Sequence, residues 1–223
     1  MKLQSTKQAH AHGVKCLVYA AAGSGKTSLI PTLPNPVILS AEAGLLSIAD
    51  ADLPFIQIET LQDLREAYTW LTKTPEGLTF ESVALDSISE IAEVVLNAEK
   101  KTAKDPRQAY GAMQEAMTDL IRAFRDLPGR NVYFSAKLEK TTDEMGKILY
   151  GPSMPGNKTG QLLPYFFDLV LALRVEKDAD GVPMRVLQCQ PDGAWLAKDR
   201  SGKLAMWESP DLGPIIKTIQ GVE

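Results

Sequence analysis

The sequence predicts an α/β fold: a mostly parallel central sheet flanked by helices, with antiparallel strands at one edge. Three observations carry this. Short apolar runs alternate with amphipathic segments through the first two-thirds of the chain, the order that builds parallel sheets with helices on both faces. The run Val14 to Tyr19 leads directly into a glycine-rich turn, Gly23-Ser24-Gly25-Lys26-Thr27, as a buried strand does when it feeds a helix. Two later runs, Phe167 to Val175 and Met184 to Gln190, join through Asp180-Gly181, a turn pair suited to a hairpin that extends a parallel sheet at its edge.

Each element has its own signal. After Val14–Tyr19 the helix must be short, because Pro31, Pro34 and Pro36 follow at once and proline cannot donate to a helix ladder. Val37 to Ser40 and Phe55 to Ile58 read as strands. Leu61, Leu64, Ala67, Tyr68 and Leu71 sit at helical spacing. Val83-Ala84-Leu85 is a strand ending on Asp86, and Ser87 or Ser89 is placed to cap the next helix. Its apolar stripe is Ile88, Ile91, Val94 and Val95. The charged segment Glu99 to Gln108 breaks the pattern, and Met113, Met117, Leu120, Ile121 and Phe124 mark a second amphipathic helix, with methionine as core filler. Val132 to Ala136 is a further strand. Residues 138–160, rich in Gly, Lys, Thr and Pro, read as a mobile loop. A last helix is expected from about Asp211 to Ile219.

The 223 residues read as a single domain, with residues 1–12 as an N-terminal extension. Hydrophobic residues make up 44% and charged residues 23%, ordinary for a globular protein. The net charge of −4 excludes a surface that is basic overall, so any nucleic-acid contact must be local. Cys16 and Cys189 each fall in a strand run, which reads as buried thiols. Met1 to Ser5 holds no apolar signal core. No run approaches the roughly 18 apolar residues of a membrane span. The expected location is the cytoplasm, with no membrane contact.

The chemistry centres on Ala20-Ala21-Ala22-Gly23-Ser24-Gly25-Lys26-Thr27, followed by Ser28. Backbone N–H groups of a glycine-rich turn at a helix start form a fixed anion cradle. Lys26 brings a positive charge to the β and γ phosphates, and the Thr27 hydroxyl is a ligand for Mg²⁺. The pattern G-x-x-x-x-G-K-[ST] is met except at its first position, which is Ala20. That position shapes the entry to the loop rather than a phosphate contact. Asp86, at a strand end, is placed to hold a metal-bound water near Thr27. ATP and Mg²⁺ are the expected ligands.

Val83-Ala84-Leu85-Asp86-Ser87-Ile88 resembles the Asp-Ser form of this strand in RecA-like recombinases, and it lacks the Asp-Glu pair typical of AAA+ proteins. The order of the other segments is similar to the same family along nearly the whole chain, although only the phosphate loop is highly specific. The minimal size is similar to the RecA-like single-strand annealing proteins of phages, a branch of the Sak recombination proteins. The resemblance implies a RecA-like P-loop core and a DNA-stimulated, Mg²⁺-dependent ATPase. It implies binding to single-stranded DNA, annealing or strand exchange by a homo-oligomeric ring or filament, and a possible single-strand-binding partner protein. If phage-encoded, the chain would work in the host cytoplasm.

Residue by residue, Leu39-Ser40-Ala41-Glu42 puts Glu42 at the position of the water-activating base. Lys198-Asp199-Arg200 looks like the K-x-R pair that reaches a neighbour's ATP site, so Lys198 and Arg200 would act in trans. Lys137 is a candidate γ-phosphate sensor. The segments placed like the two DNA-binding loops contribute Lys101, Lys104, Arg107 and Tyr110, and Lys140, Lys147, Tyr150 and Lys158. Lysines would hold phosphates and tyrosines would stack bases. A second reading is a nucleotide-gated assembly module without significant turnover. A third, a small-molecule P-loop kinase, is disfavoured because the long 138–160 segment holds no arginine for a phosphate lid.

Overall fold

The computed structural model describes residues 12–42 and 44–222, with no description of the side chains of residues 157–159. The expected extension, apart from residue 12, therefore lies outside the described residues, as does the side chain of Lys158.

The strands are β1 (Lys15–Ala20), β2 (Pro36–Ser40), β3 (Phe55–Gln57), β4 (Ser82–Asp86), β5 (Asn131–Thr142), β6 (Ile148–Pro152), β7 (Leu169–Lys177), β8 (Pro183–Gln188), β9 (Lys198–Asp199) and β10 (Trp207–Glu208). The α-helices are α1 (Leu61–Lys73), α2 (Ile88–Thr102), α3 (Pro106–Arg125), α4 (Asn157–Phe166) and α5 (Leu212–Gln220). The sheet runs β3-β2-β4-β5-β1-β7-β8-β10. Pairings from β3 to β7 are parallel, and those of β7 with β8 and β8 with β10 are antiparallel. This is the expected architecture, with the hairpin at the expected edge.

β1, β2 and β4 are buried at every position, which is why they read as continuous apolar runs rather than alternating ones. One face of the sheet packs Leu17, Tyr19, Leu85 and Phe134 against the apolar stripes of α1, α2 and α3. The other packs Val18, Leu171 and Leu187 against Leu29, Ile30 and the α5 residues Ile215 and Ile216. Helix starts follow their caps. Thr60 and Asp63 form a reciprocal capping box on α1, Ser87 caps α2, and Asp105 caps α3 with Pro106 as its first residue. Among the described residues no helix is long and apolar enough to cross a membrane.

Two expectations need correction. The charged segment breaks the helical pattern only at residues 103–105, since α2 runs on to Thr102. Residues 138–160 are not a loop. β5 continues to Thr142 and pairs with β6 from Leu138↔Pro152 to Thr142↔Ile148. The turn is closed by Asp143 Oδ1, which accepts from the N–H groups of Met145 and Lys147. Gly146 in this turn has φ +81°, a backbone region that glycine enters freely. Most of this hairpin is exposed or half-buried, so no apolar alternation betrays it.

Candidate active site

β1 ends at Ala20, and the chain turns through residues 21–26 into a 3₁₀ helix, Thr27–Thr32, that contains Pro31. Gly23 and Gly25 have φ values of +74° and +100°, so both positions need glycine. The Lys26 ammonium folds back on its own loop, donating to the carbonyls of Ala20 and Ala21, each at 3.2 Å. Burial pulls its pKa down, and the charges of Glu42 and Asp86 oppose that shift. From β5, the Tyr133 hydroxyl donates to the Lys26 carbonyl at 2.8 Å.

The sheet order brings the acids to this loop. β4 lies between β2 and β5, with Ser40 opposite Asp86 and Phe134 opposite Leu85. Asp86 is 2% exposed. One carboxylate oxygen accepts from Thr27 Oγ1 at 2.8 Å, and the other accepts from Ser135 Oγ on β5. Glu42 follows β2 by two residues. Its side chain accepts from Ser87 Oγ, and its carbonyl accepts from Ser40 Oγ at 2.7 Å. The peptide bond between Asp86 and Ser87 is cis. Lys26 and Thr27 on the loop are thus brought together with Glu42 and Asp86 from two later parts of the sequence.

The AAA-domain family matches residues 12–201. The chain belongs to that family. An AAA domain is a P-loop ATPase core. A solved KaiC-like protein from the hyperthermophilic archaeon Pyrococcus horikoshii is similar at 13% identity with a TM-score of 0.45, over 79% of this chain and 77% of that one. No curated protein matches.

Of the other candidates in this AAA domain, Lys137 stands beside the loop, whereas Lys198 and Arg200 lie away from it. Lys137 sits opposite Ala20, and its ammonium pairs with Glu90 at 2.6 Å. That hydrogen bond holds its pKa above the usual lysine value. β9 pairs with β7 at Leu169 and Val170, beside Cys16 and Leu17, so Lys198 and Arg200 lie by the end of β1 away from the loop. Lys198 Nζ donates to the carbonyls of Pro164 (2.8 Å) and Phe167 (2.9 Å) at the end of α4. Arg200 pairs with Asp168 at 2.8 Å.

Of the nucleic-acid candidates, Lys101, Lys104, Arg107, Tyr110, Lys140 and Lys147 are exposed. The two segments meet: a methyl group on Gly156 would come within 3.5 Å of Tyr110 Cδ1. Tyr150 is half-buried, with one ring face stacked on Trp195 at 4.3 Å between centroids. Sequence reasoning missed Tyr133, Ser135 and Arg185. A lone serine or tyrosine inside a strand run carries no sequence signal. Ser87 was legible as a helix cap and as part of the Asp-Ser resemblance, yet the same hydroxyl also holds Glu42.

Proposed function

We propose that this AAA-domain protein is a Mg²⁺-dependent ATPase that acts on single-stranded DNA, as an oligomer, in annealing or strand exchange. The observation that carries the catalytic part is the convergence of Thr27, Asp86 and Glu42 on the phosphate loop. The residues fit a magnesium ion: a buried carboxylate holds a hydroxyl at the loop, and among the described residues no cation pairs with Asp86. No cluster of three or more metal-ligating side chains exists among them, as suits an ion held mostly by phosphate and water. Thr27, with Asp86 behind it, would hold that ion, which would neutralise phosphate charge.

The rest of the chemistry belongs to the chain. Loop N–H groups bind the phosphates, and Lys26 exchanges two weak carbonyl contacts for phosphate oxygens. Glu42, oriented by Ser87, accepts a proton from the attacking water. Lys198 and Arg200 act on a neighbouring copy's nucleotide, which requires them to leave Pro164, Phe167 and Asp168 on assembly. For DNA, the reading is supported by the closeness of Gly156 to Tyr110 and by the exposed lysines of both segments. Lys100 already stands 5.5 Å from the Tyr110 ring centroid, a cation on an aromatic face that suits stacked bases and phosphates.

The test is steady-state ATP hydrolysis with and without single-stranded DNA across a salt series. DNA should stimulate turnover, with log affinity falling about 0.7 per phosphate contact per log unit of salt. Absence of stimulation at low salt removes the DNA part. Glu42→Gln should lower kcat about 10²-fold or more while ATP still binds. Unchanged turnover removes Glu42 as the base.

A further inference from the structure

The phosphate loop has a partner from the far side of the sheet. β1 stops at Ala20, whereas β7 runs on to Lys177 and carries β8 with it. Arg185, opposite Val175 in that overhanging hairpin, reaches back to the loop. Its Nε donates to the Ser24 carbonyl at 2.8 Å. Its side chain also lies against Gly25, where a methyl group would come within 3.1 Å of Nε and 3.4 Å of Cδ. Among the described residues Arg185 pairs with no carboxylate, so its charge is not spent on an ion pair.

In a trans peptide the C=O and the following N–H point in opposite directions. Fixing the Ser24 carbonyl outward therefore fixes the Gly25 N–H the other way. Nothing among the described residues accepts from that N–H. A charged donor on the carbonyl also polarises the amide and makes its N–H a stronger donor. Gly25 has no side chain to restrict this peptide, so without an external hold it is free to flip.

We infer that Arg185, supplied in cis by the β7–β8 hairpin, is a positioning residue that orients the Ser24–Gly25 peptide so that the Gly25 N–H serves the phosphates of a bound nucleotide. The inference rests on the nucleotide-binding reading of the loop. It also gives the hairpin a function beyond extending the sheet, because movement of its tip would reach the phosphate cradle through one side chain.

The experiment uses Arg185→Ala and Arg185→Lys in the full chain. ATP and ADP binding are measured by fluorescence titration, and the Gly25 amide signal is followed by NMR in the nucleotide-free protein. Arg185 is exposed, so the melting temperature should hold in both variants. Arg185→Ala should weaken both nucleotides about tenfold, the lower end for a hydrogen bond from a charged group, and should move the Gly25 signal. Lysine, which keeps the charge and a donor, should recover most of both. Unchanged affinity in Arg185→Ala overturns the inference alone. Weakened affinity with an unmoved Gly25 signal overturns it too, because Arg185 would then touch nucleotide directly. A wild-type chain that binds no ATP overturns the nucleotide reading and this inference with it.

Discussion

Asp86 depends on a residue that no motif names. Asp86 is 2% exposed, and among the described residues the side-chain donors to its carboxylate are two hydroxyls, those of Thr27 and Ser135. Ser135 is itself fully buried. Ser135→Ala removes one oxygen and leaves almost no cavity, so the cost is that of a lost hydrogen bond to a charged acceptor, about 1.5–3 kcal/mol. For a chain of this size, about 2 kcal/mol corresponds to a melting temperature lower by roughly 4–8 °C. The decisive assay is a double-mutant cycle by urea unfolding, with Ser135→Ala made in wild type and in Asp86→Asn. With a neutral acceptor the serine hydroxyl is worth only about 0.5–1.5 kcal/mol, so the two substitutions should couple by about 1 kcal/mol. Additivity within about 0.5 kcal/mol would refute the claim that Ser135 acts through the Asp86 charge.

Tyr133→Phe keeps the buried ring and loses the bond to the Lys26 carbonyl. That carbonyl still accepts from Leu29 N–H at 3.2 Å, so urea unfolding should show a loss near 1 kcal/mol, and unchanged stability would count against the bond. Lys15 is 7% exposed and donates to three carbonyls, those of His12, Leu127 and Arg130. Those bonds favour the ammonium, but burial outweighs them and pushes its pKa down to about 8. In the unfolded chain the same group titrates near 10.4. Between these values the unfolded state binds more protons, so this group adds stability as pH rises through the window. Wild type should gain about 1–3 kcal/mol over Lys15→Met between pH 7 and pH 10, read by urea unfolding at each pH; a constant difference would sink the argument.

How much was legible depended on how far each signal reaches. The phosphate loop announced itself because its spacing is local: two glycines, a lysine and a threonine within five residues. Asp86 was legible as a strand-end acid, because a parallel sheet delivers its strand ends to one side, whereas Glu42 was legible through the resemblance to RecA-like proteins. Residues 138–160 were misread since a solvent-exposed hairpin has no reason to alternate apolar and polar residues. Strands β9 and β10, two residues each, are too short for any period. α4 was missed because Pro164 and a glycine at its N-cap disguise a helix.

By itself, then, the sequence determined the α/β layering, the buried parallel strands and the chemistry of the loop, all of which follow from periodicity and from residue types at fixed local spacing. Only the tertiary structure decided what surrounds that loop. Placing β5 between β1 and β4 is what sets Ser135 against Asp86 and Tyr133 against Lys26. The overhang of β7 and β8 past β1 is what puts Arg185, 161 positions along the chain from Ser24, on the loop. Such contacts are set by strand order and register, and a single sequence does not spell out either one.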